Sequence, residues 1–364
     1  MAFKVKILGA GSIGNHLGHA ARVLGWDVDI CDMDEAALER TRTDIYPARY
    51  GAWDEEIHLF PVEQAPVGDY DMICIGTPPD SHIELALKAL EERPRALLVE
   101  KPLCGPDLHQ AQKLFEMAEN CDTQAFVGYD HVVGNAVGRV RSLAASGGME
   151  PFVTMDVEFR EYWGGIFAAH PWLDGPADTY LGYWQRGGGA AGEHSHAINL
   201  WQHFALAIGA GRVREVSATA DYVKDGAVEY DRICALNLKT EGGLMGRVIQ
   251  DVVTAPTRKW ARLQGQDGFL ELQIAFEPGR DKVISTTGGC TAEDYIFETT
   301  RPGDFIAEME HIRDVLDGKI EESPISLERG LETMLVIAAA HKSARSGRTV
   351  EIKYDKGYSS DALL

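Results

Sequence analysis

The chain has 364 residues, 45% of them hydrophobic, enough to bury a full core and long enough for two domains rather than one. With 35 Lys and Arg against 56 Asp and Glu, its formal charge of -21 repels nucleic acid and anionic lipid, so no nucleic-acid or membrane partner is expected. Cys31, Cys74, Cys104, Cys121, Cys234 and Cys290 lack C-x-x-C spacing, the N-terminus carries no signal-like segment, and no run approaches the roughly 18 apolar residues of a membrane span, so a soluble, reduced, cytoplasmic protein is expected.

Val5, Ile7 and Leu8 form a short apolar strand. After a glycine loop, Ile13, Leu17, Ala20, Ala21 and Leu24 recur at helical spacing, which predicts a β-loop-α unit. Residues 26–31, 70–75 and 96–99 read as further strands. Between and after them, Ser81 is predicted to cap a helix carrying Ile83, Leu87 and Leu90, and Asp107 one carrying Leu108, Ala111 and Leu114. Strands alternating with helices predict a parallel sheet covered on both faces, because parallel neighbours need crossover connections.

After about Gly128 the pattern changes. Val153, Met155, Val157 and Phe159 alternate with Thr154, Asp156, Glu158 and Arg160, the period of a sheet with one solvated face. Strand-like runs follow at 212–222, 232–239, 243–253 and 268–274, a long helix is predicted over roughly 193–207, and two closing helices over about 304–316 and 327–345. The fold class is therefore α/β: a doubly wound parallel sheet in residues 1–128, then an α+β domain in residues 129–364 built on a mostly antiparallel, open-faced sheet.

Three constellations can carry chemistry. Gly9-Ala10-Gly11-Ser12-Ile13-Gly14 fits G-x-G-x-x-G between a strand and a helix, the context a Rossmann dinucleotide site requires. There Gly9 permits the turn, Gly11 admits a pyrophosphate, Gly14 lets helix and strand pack closely, and the helix N-terminus favours the phosphate charge. Asp32, just past the second strand, can accept hydrogen bonds from the adenosine ribose hydroxyls or simply cap the next helix. With Asp34 it would repel a 2′-phosphate, so NAD is expected and NADP disfavoured.

Glu100-Lys101-Pro102 lies at the carboxyl end of a parallel strand, where such sheets bind ligands. A lysine there can hold a substrate oxygen as negative charge develops on it, unless it is an ordinary exposed lysine. The third constellation runs from Arg186 through Gly187, Gly188, Gly189, Ala190, Ala191, Gly192, Glu193, His194 and Ser195 to His196. A helix starting there would put Glu193 and His196 on one face at i, i+3, with His196 as proton acceptor. Glu193, His194, His196 and His203 could also be read as metal ligands, but their spacing is not H-E-x-x-H, and no metal is expected. Tyr162, Trp163, Trp172, Tyr180, Tyr183 and Trp184 could stack on a sugar or serve as core or interface aromatics.

Together Gly9 to Gly14, the run Gly76-Thr77-Pro78-Pro79-Asp80-Ser81-His82, Glu100-Lys101-Pro102, the glycine-to-histidine segment and the tail from Ala339 to Arg348 resemble the Gfo/Idh/MocA family, the relatives of glucose-fructose oxidoreductase and inositol dehydrogenase. The resemblance implies a nicotinamide-dependent oxidoreductase acting on a CH–OH group of a sugar or polyol. It places Thr77, Pro78, His82 and Glu100 at the cofactor, Lys101 at cofactor and substrate, Tyr183 and Arg186 at the substrate, and His196 as acid/base. It also implies a homodimer or homotetramer formed through the open sheet. One departure stands out: the family's Asp four residues before the histidine is Gly192 here, and Glu193 is the candidate to replace it. Two other activities are compatible with these residues, redox-neutral glycoside cleavage through transient oxidation, and a non-catalytic dinucleotide-binding regulator.

Overall fold

The computed structural model describes residues 3–146, 151–168, 172–288 and 292–364. The first lobe runs β1 (Lys4–Leu8), α1 (Ser12–Val23), β2 (Asp27–Asp32), α2 (Glu35–Arg40), α3 (Tyr46–Tyr50), β3 (Ile57–Pro61), β4 (Met72–Ile75), α4 (Pro79–Glu91), β5 (Ala96–Glu100), α5 (Ala111–Glu119) and β6 (Gln124–Gly128). All six strands are parallel, in the order β3-β2-β1-β4-β5-β6. The order reverses between β1 and β4, and ligands of such sheets bind outside the carboxyl ends at that point.

The strands predicted from continuous apolar runs are the central ones. Val5, Ile7, Ile73, Cys74, Leu97 and Leu98 are fully buried because helices cover both faces. The two edge strands, β3 and β6, escape the same reading because their apolar runs are short: the exposed His58 interrupts β3, and β6 offers only Ala125, Phe126 and Val127 after the exposed Gln124. Both predicted caps are also corrected. Pro79 starts α4, its fixed φ suiting the first helical position, and Ser81 instead donates to the Pro78 carbonyl at 2.8 Å. Helix α5 starts only after Gln110, which is left-handed at φ 56°, and Asp107 accepts from the His109 amide.

The second lobe comprises α6 (Asn135–Ala145), β7 (Phe152–Arg160), α7 (Gly164–Ala168), α8 (Gly189–Glu193), α9 (His196–Ala207), β8 (Val213–Asp225), β9 (Val228–Thr240), β10 (Met245–Asp251), β11 (Arg258–Gly265), β12 (Gly268–Glu277), β13 (Arg280–Thr287), β14 (Glu293–Glu298), α10 (Arg301–Leu316), α11 (Leu327–Ser346) and β15 (Val350–Glu351). Its nine strands form one sheet in the order β14-β13-β12-β11-β7-β10-β9-β8-β15. Strands β7 and β10 pair in parallel and the other neighbours antiparallel. Met155, Val157 and Phe159 face the core, while cross-strand ion pairs Asp156–Arg247 and Glu158–Arg258 line the other face. Helix α9 lies on β7, where the buried Trp201 indole donates to the Met155 carbonyl at 2.9 Å.

The closing helices return to the first lobe. Helix α10 packs on α1, with Phe305 stacked on His16 at 4.8 Å between ring centres. Just before α11, the Ile325 carbonyl accepts from the Val127 amide at 2.8 Å, and Gly330 sits so close to Val127 that a Cβ would approach its side chain to 2.3 Å. Among the described residues, no helix is long and apolar enough to cross a membrane. Cys31, Cys74, Cys104, Cys121 and Cys234 carry free thiols, and Cys290 lies outside the described residues.

Candidate active site

The glycine loop joins β1 to α1 as its spacing requires. Gly9 has φ +107°, and a Cβ there would press on the Gly76 carbonyl at 2.9 Å and on the Thr77 methyl at 3.1 Å. Nothing lies within 4 Å of the Cβ position of Gly11, so the approach to the helix N-terminus is open to an anion. Gly14 sits against the loop itself, since a Cβ there would fall 1.9 Å from the Gly9 carbonyl oxygen. Ile13 packs on Gly76. These residues fit a dinucleotide pyrophosphate. The fit extends to a cation absent from the sequence reading: Arg49 on α3 donates to the Ser12 carbonyl at 2.8 Å and to its hydroxyl at 2.7 Å.

Asp32 ends β2 and takes a role between its two predicted ones. Its carboxylate accepts from the Ala10 amide at 2.7 Å and the Asp34 amide at 2.9 Å, while Asp34 caps α2 through the Ala36 amide. A carboxylate has about four acceptor positions, so two remain for ribose hydroxyls. Arg40 lies on the same edge and is tied to Asp34 at 3.2 Å.

Thr77 bonds Ser81 at 2.7 Å and abuts Gly9, so this turn and the glycine loop meet. His82 is 1% exposed behind them, with its Nε2 2.6 Å from the Thr77 carbonyl oxygen and Nδ1 3.0 Å from that of Pro102. Burial pulls its pKa down to about 4 in spite of these carbonyls, which leaves one N–H between the two. His82 thus ties the Thr77–Pro78 turn to the lysine turn from behind. The Lys101–Pro102 bond is cis. Glu100 is likewise buried, packed against Gly128, and burial together with Asp130 lifts its pKa to about 7.

Lys101 leaves the first lobe and reaches the second: its Nζ donates to the Glu193 carbonyl at 3.0 Å and to the Glu193 carboxylate at 3.4 Å. The Tyr180 hydroxyl donates to the same carboxylate oxygen at 3.4 Å. The predicted continuous helix over 193–207 is corrected here. Helix α8 stops at Glu193, His194 and Ser195 form a break, and α9 restarts at His196. Two buried side chains hold the break: Gln250 donates to the His194 carbonyl at 2.5 Å, and Asp231 accepts from the Ala191 amide at 2.8 Å. Glu193 and His196 therefore do not share a helical face.

The structure also explains Gly192. A Cβ there would lie 1.9 Å from the Gly187 carbonyl oxygen, so no side chain, Asp included, fits without moving that backbone. Gly192→Ala is expected to cost about 1–3 kcal/mol through overpacking. Urea denaturation would check this, and an unaltered midpoint would show that the turn yields freely.

His196 instead faces residues that the sequence reading missed. Its Nδ1 is 3.7 Å from Asp130 Oδ1, and His131 Nδ1 is 3.2 Å from the same oxygen. Arg301 approaches the other Asp130 oxygen at 3.7 Å. The His131 and His196 rings lie 4.5 Å apart, with Tyr129 edge-on to His196. Burial pulls His131 down to about 4 and His196 well below the ordinary imidazole range, with His131 and Lys101 as lesser causes for the latter. The topological rule that singled out Lys101 after β5 applies equally to Asp130 and His131 after β6. Unpredicted, β6 gave no reason to apply it.

The other candidates are dispersed. His203 lies two turns along α9 in a groove with Arg141 and Gln202, while Tyr183 donates to the Ala177 carbonyl at 3.2 Å. Arg186 pairs with Asp80 of α4 at 2.7 Å and so bridges the lobes. The aromatic stretch divides: Trp163 is core, Trp184 stacks on His341, and Tyr162 and Trp172 are exposed.

A six-stranded parallel sheet with an open glycine loop at its switch point defines a dinucleotide-binding lobe. Residues 3–129 match the model of the Gfo/Idh/MocA oxidoreductase family, described as an NAD-binding Rossmann fold. No curated protein matches the chain in sequence. Solved structures share the whole fold. An oxidoreductase from Agrobacterium radiobacter in complex with NAD+, L-tartaric acid and magnesium is 18% identical, with a TM-score of 0.74 over 96% of this chain and 98% of that one. Levoglucosan dehydrogenase with NADH and levoglucosan is 15% identical, with a TM-score of 0.76 over 96% and 99%. The aldose-aldose oxidoreductase from Caulobacter crescentus with glycerol is 18% identical, with a TM-score of 0.74 over 97% and 100%.

Proposed function

We propose that the chain is an NAD-dependent oxidoreductase that interconverts a secondary alcohol and a ketone on a sugar, polyol or sugar derivative. The observation that carries this reading is the meeting of Lys101 with the α8–α9 break, at the carboxyl edge of the parallel sheet that bears the glycine loop. Levoglucosan bound in the levoglucosan dehydrogenase structure, and the aldose named for the aldose-aldose oxidoreductase, support the class.

In this reading Lys101 donates to the substrate hydroxyl and stabilises the oxygen as negative charge grows on it. Neutral His196 takes the hydroxyl proton, and Glu193 orients the Lys101 ammonium. Bound NAD supplies the hydride acceptor. Arg186, ion-paired with Asp80 just after the Thr77–Pro78 turn, and Tyr183, three residues before it, would contribute to substrate binding. Incubating the protein with NAD and a panel of polyols, sugars and glycosides, while following both NADH and products, tests the reading. Net NADH with a ketone product supports it. Sugar release without net NADH would replace it by redox-neutral glycoside cleavage, and no turnover on any substrate would leave a dinucleotide-binding regulator.

Asp32→Ala is expected to narrow the preference for NAD over NADP, because it removes the charge that repels a 2′-phosphate. Titration of both dinucleotides against both proteins checks this, and an unchanged affinity ratio would refute the role.

A further inference from the structure

We propose that Asp130, His131 and His196 form a three-ligand site for a divalent transition-metal ion of the zinc class, and that its occupation withdraws His196 from proton transfer. The second half rests on the reading of His196 as proton acceptor; the first does not.

The geometry points to ligands rather than to a hydrogen-bonded chain. One atom from each side chain, two imidazole nitrogens and a carboxylate oxygen, lies within 4.8 Å of the others. The distances to Asp130 Oδ1 are 3.2 Å from His131 Nδ1 and 3.7 Å from His196 Nδ1. Around a tetrahedral ion with bonds of about 2.0–2.1 Å, neighbouring ligand atoms stand about 3.3 Å apart, so small side-chain movements would close the set. Asp130 is 7% exposed, yet its Oδ1 has no aligned hydrogen-bond donor, and the buried Nδ1 of His196 has no hydrogen-bond partner either. Unpaired buried polar atoms are costly, and a shared ion would satisfy both.

Access and charge are consistent with an ion. Asp130 and His131 line a cavity of about 240 Å³ that also presents the carboxylates of Asp281 and Asp304. Glu308 is fully buried nearby, with neither carboxylate oxygen hydrogen-bonded. Lys101, Lys259 and Arg301 oppose these acids, so the ion must be held by direct bonds rather than by field alone. Two imidazoles and one carboxylate suit zinc, cobalt or nickel better than magnesium or calcium. Three protein ligands would leave a coordination position open, as in catalytic zinc sites.

The test uses the NAD-loaded full-length protein after chelation, titrated with Zn2+ by calorimetry and with Co2+ by its visible absorption. Equimolar uptake with a tetrahedral Co2+ spectrum is expected, with His131→Gln weakening it by about a hundredfold or more, since losing a direct ligand costs at least what losing an outer-sphere partner does. His131→Gln should resist inhibition by zinc, its rate with zinc staying at that variant's own metal-free rate. No Co2+ spectrum from folded protein, or unchanged affinity in His131→Gln, would overturn the site. Zinc binding without inhibition would overturn the withdrawal of His196. A bound ion in a protein without dehydrogenase activity would leave the site standing and remove the proposed function.

Discussion

Lys101→Met is expected to keep NAD affinity and lose turnover by about a hundredfold or more, the scale found when a group stabilising transition-state charge is removed. The glycine loop, Asp32 and Arg49, the proposed dinucleotide side, bond to one another and not to Lys101 in the structure, so binding and chemistry should separate. Methionine keeps the reach of the side chain as far as Cε and removes the ammonium. Glu193 loses one partner but retains the Tyr180 hydroxyl, which limits structural damage. Fluorescence titration of NADH together with steady-state rates on the best substrate of the panel would measure both halves. His196→Asn should show the same split, whereas His194→Asn and His203→Asn should retain chemistry. Near-normal turnover in folded Lys101→Met would remove the lysine from the mechanism.

Trp201→Ala should be the most damaging single change to stability, costing about 3–5 kcal/mol for a large buried side chain. The indole is fully buried between α9 and β7, and its N–H satisfies the Met155 carbonyl. Trp201→Phe separates the contributions. The phenyl ring keeps part of the packing, while the hydrogen bond, worth about 1 kcal/mol, and the contacts of the second indole ring are lost, with a somewhat larger effect if the carbonyl stays buried and unpaired. Denaturant unfolding followed by circular dichroism would give both values. Equal losses in the two variants would mean that the hydrogen bond, and not the ring, fixes α9.

The sequence was legible where one physical demand dominates. β4 and β5 are buried on both faces and continuously apolar up to Glu100, β1 breaks its apolar run at Lys6, which is buried against Glu92, and the glycine loop needs small residues at positions where a Cβ would strike backbone. Lys101 was visible because it follows such a strand. The α8–α9 break was not, since residues held by Gln250 and Asp231 from distant strands still read as one helical run. Asp130 escaped because β6 has only three apolar residues in a row, and the crowding at Gly192 depends on a backbone contact with Gly187 that spacing cannot reveal.

The return of α10 and α11 to the first lobe bears on how the chain matures on the ribosome. When residue 128 emerges, α1 lacks Phe305 and the Val127 amide lacks the Ile325 carbonyl, since both arrive nearly two hundred residues later. The dinucleotide lobe therefore cannot complete these contacts as the first piece made, although domains generally complete in the order of synthesis. Its uncovered helix and edge strand must wait, exposed, while the whole antiparallel sheet is translated. A fragment cut near Gly128 would be stranded at that stage, with an aggregation-prone surface that the full-length chain hides only at the end.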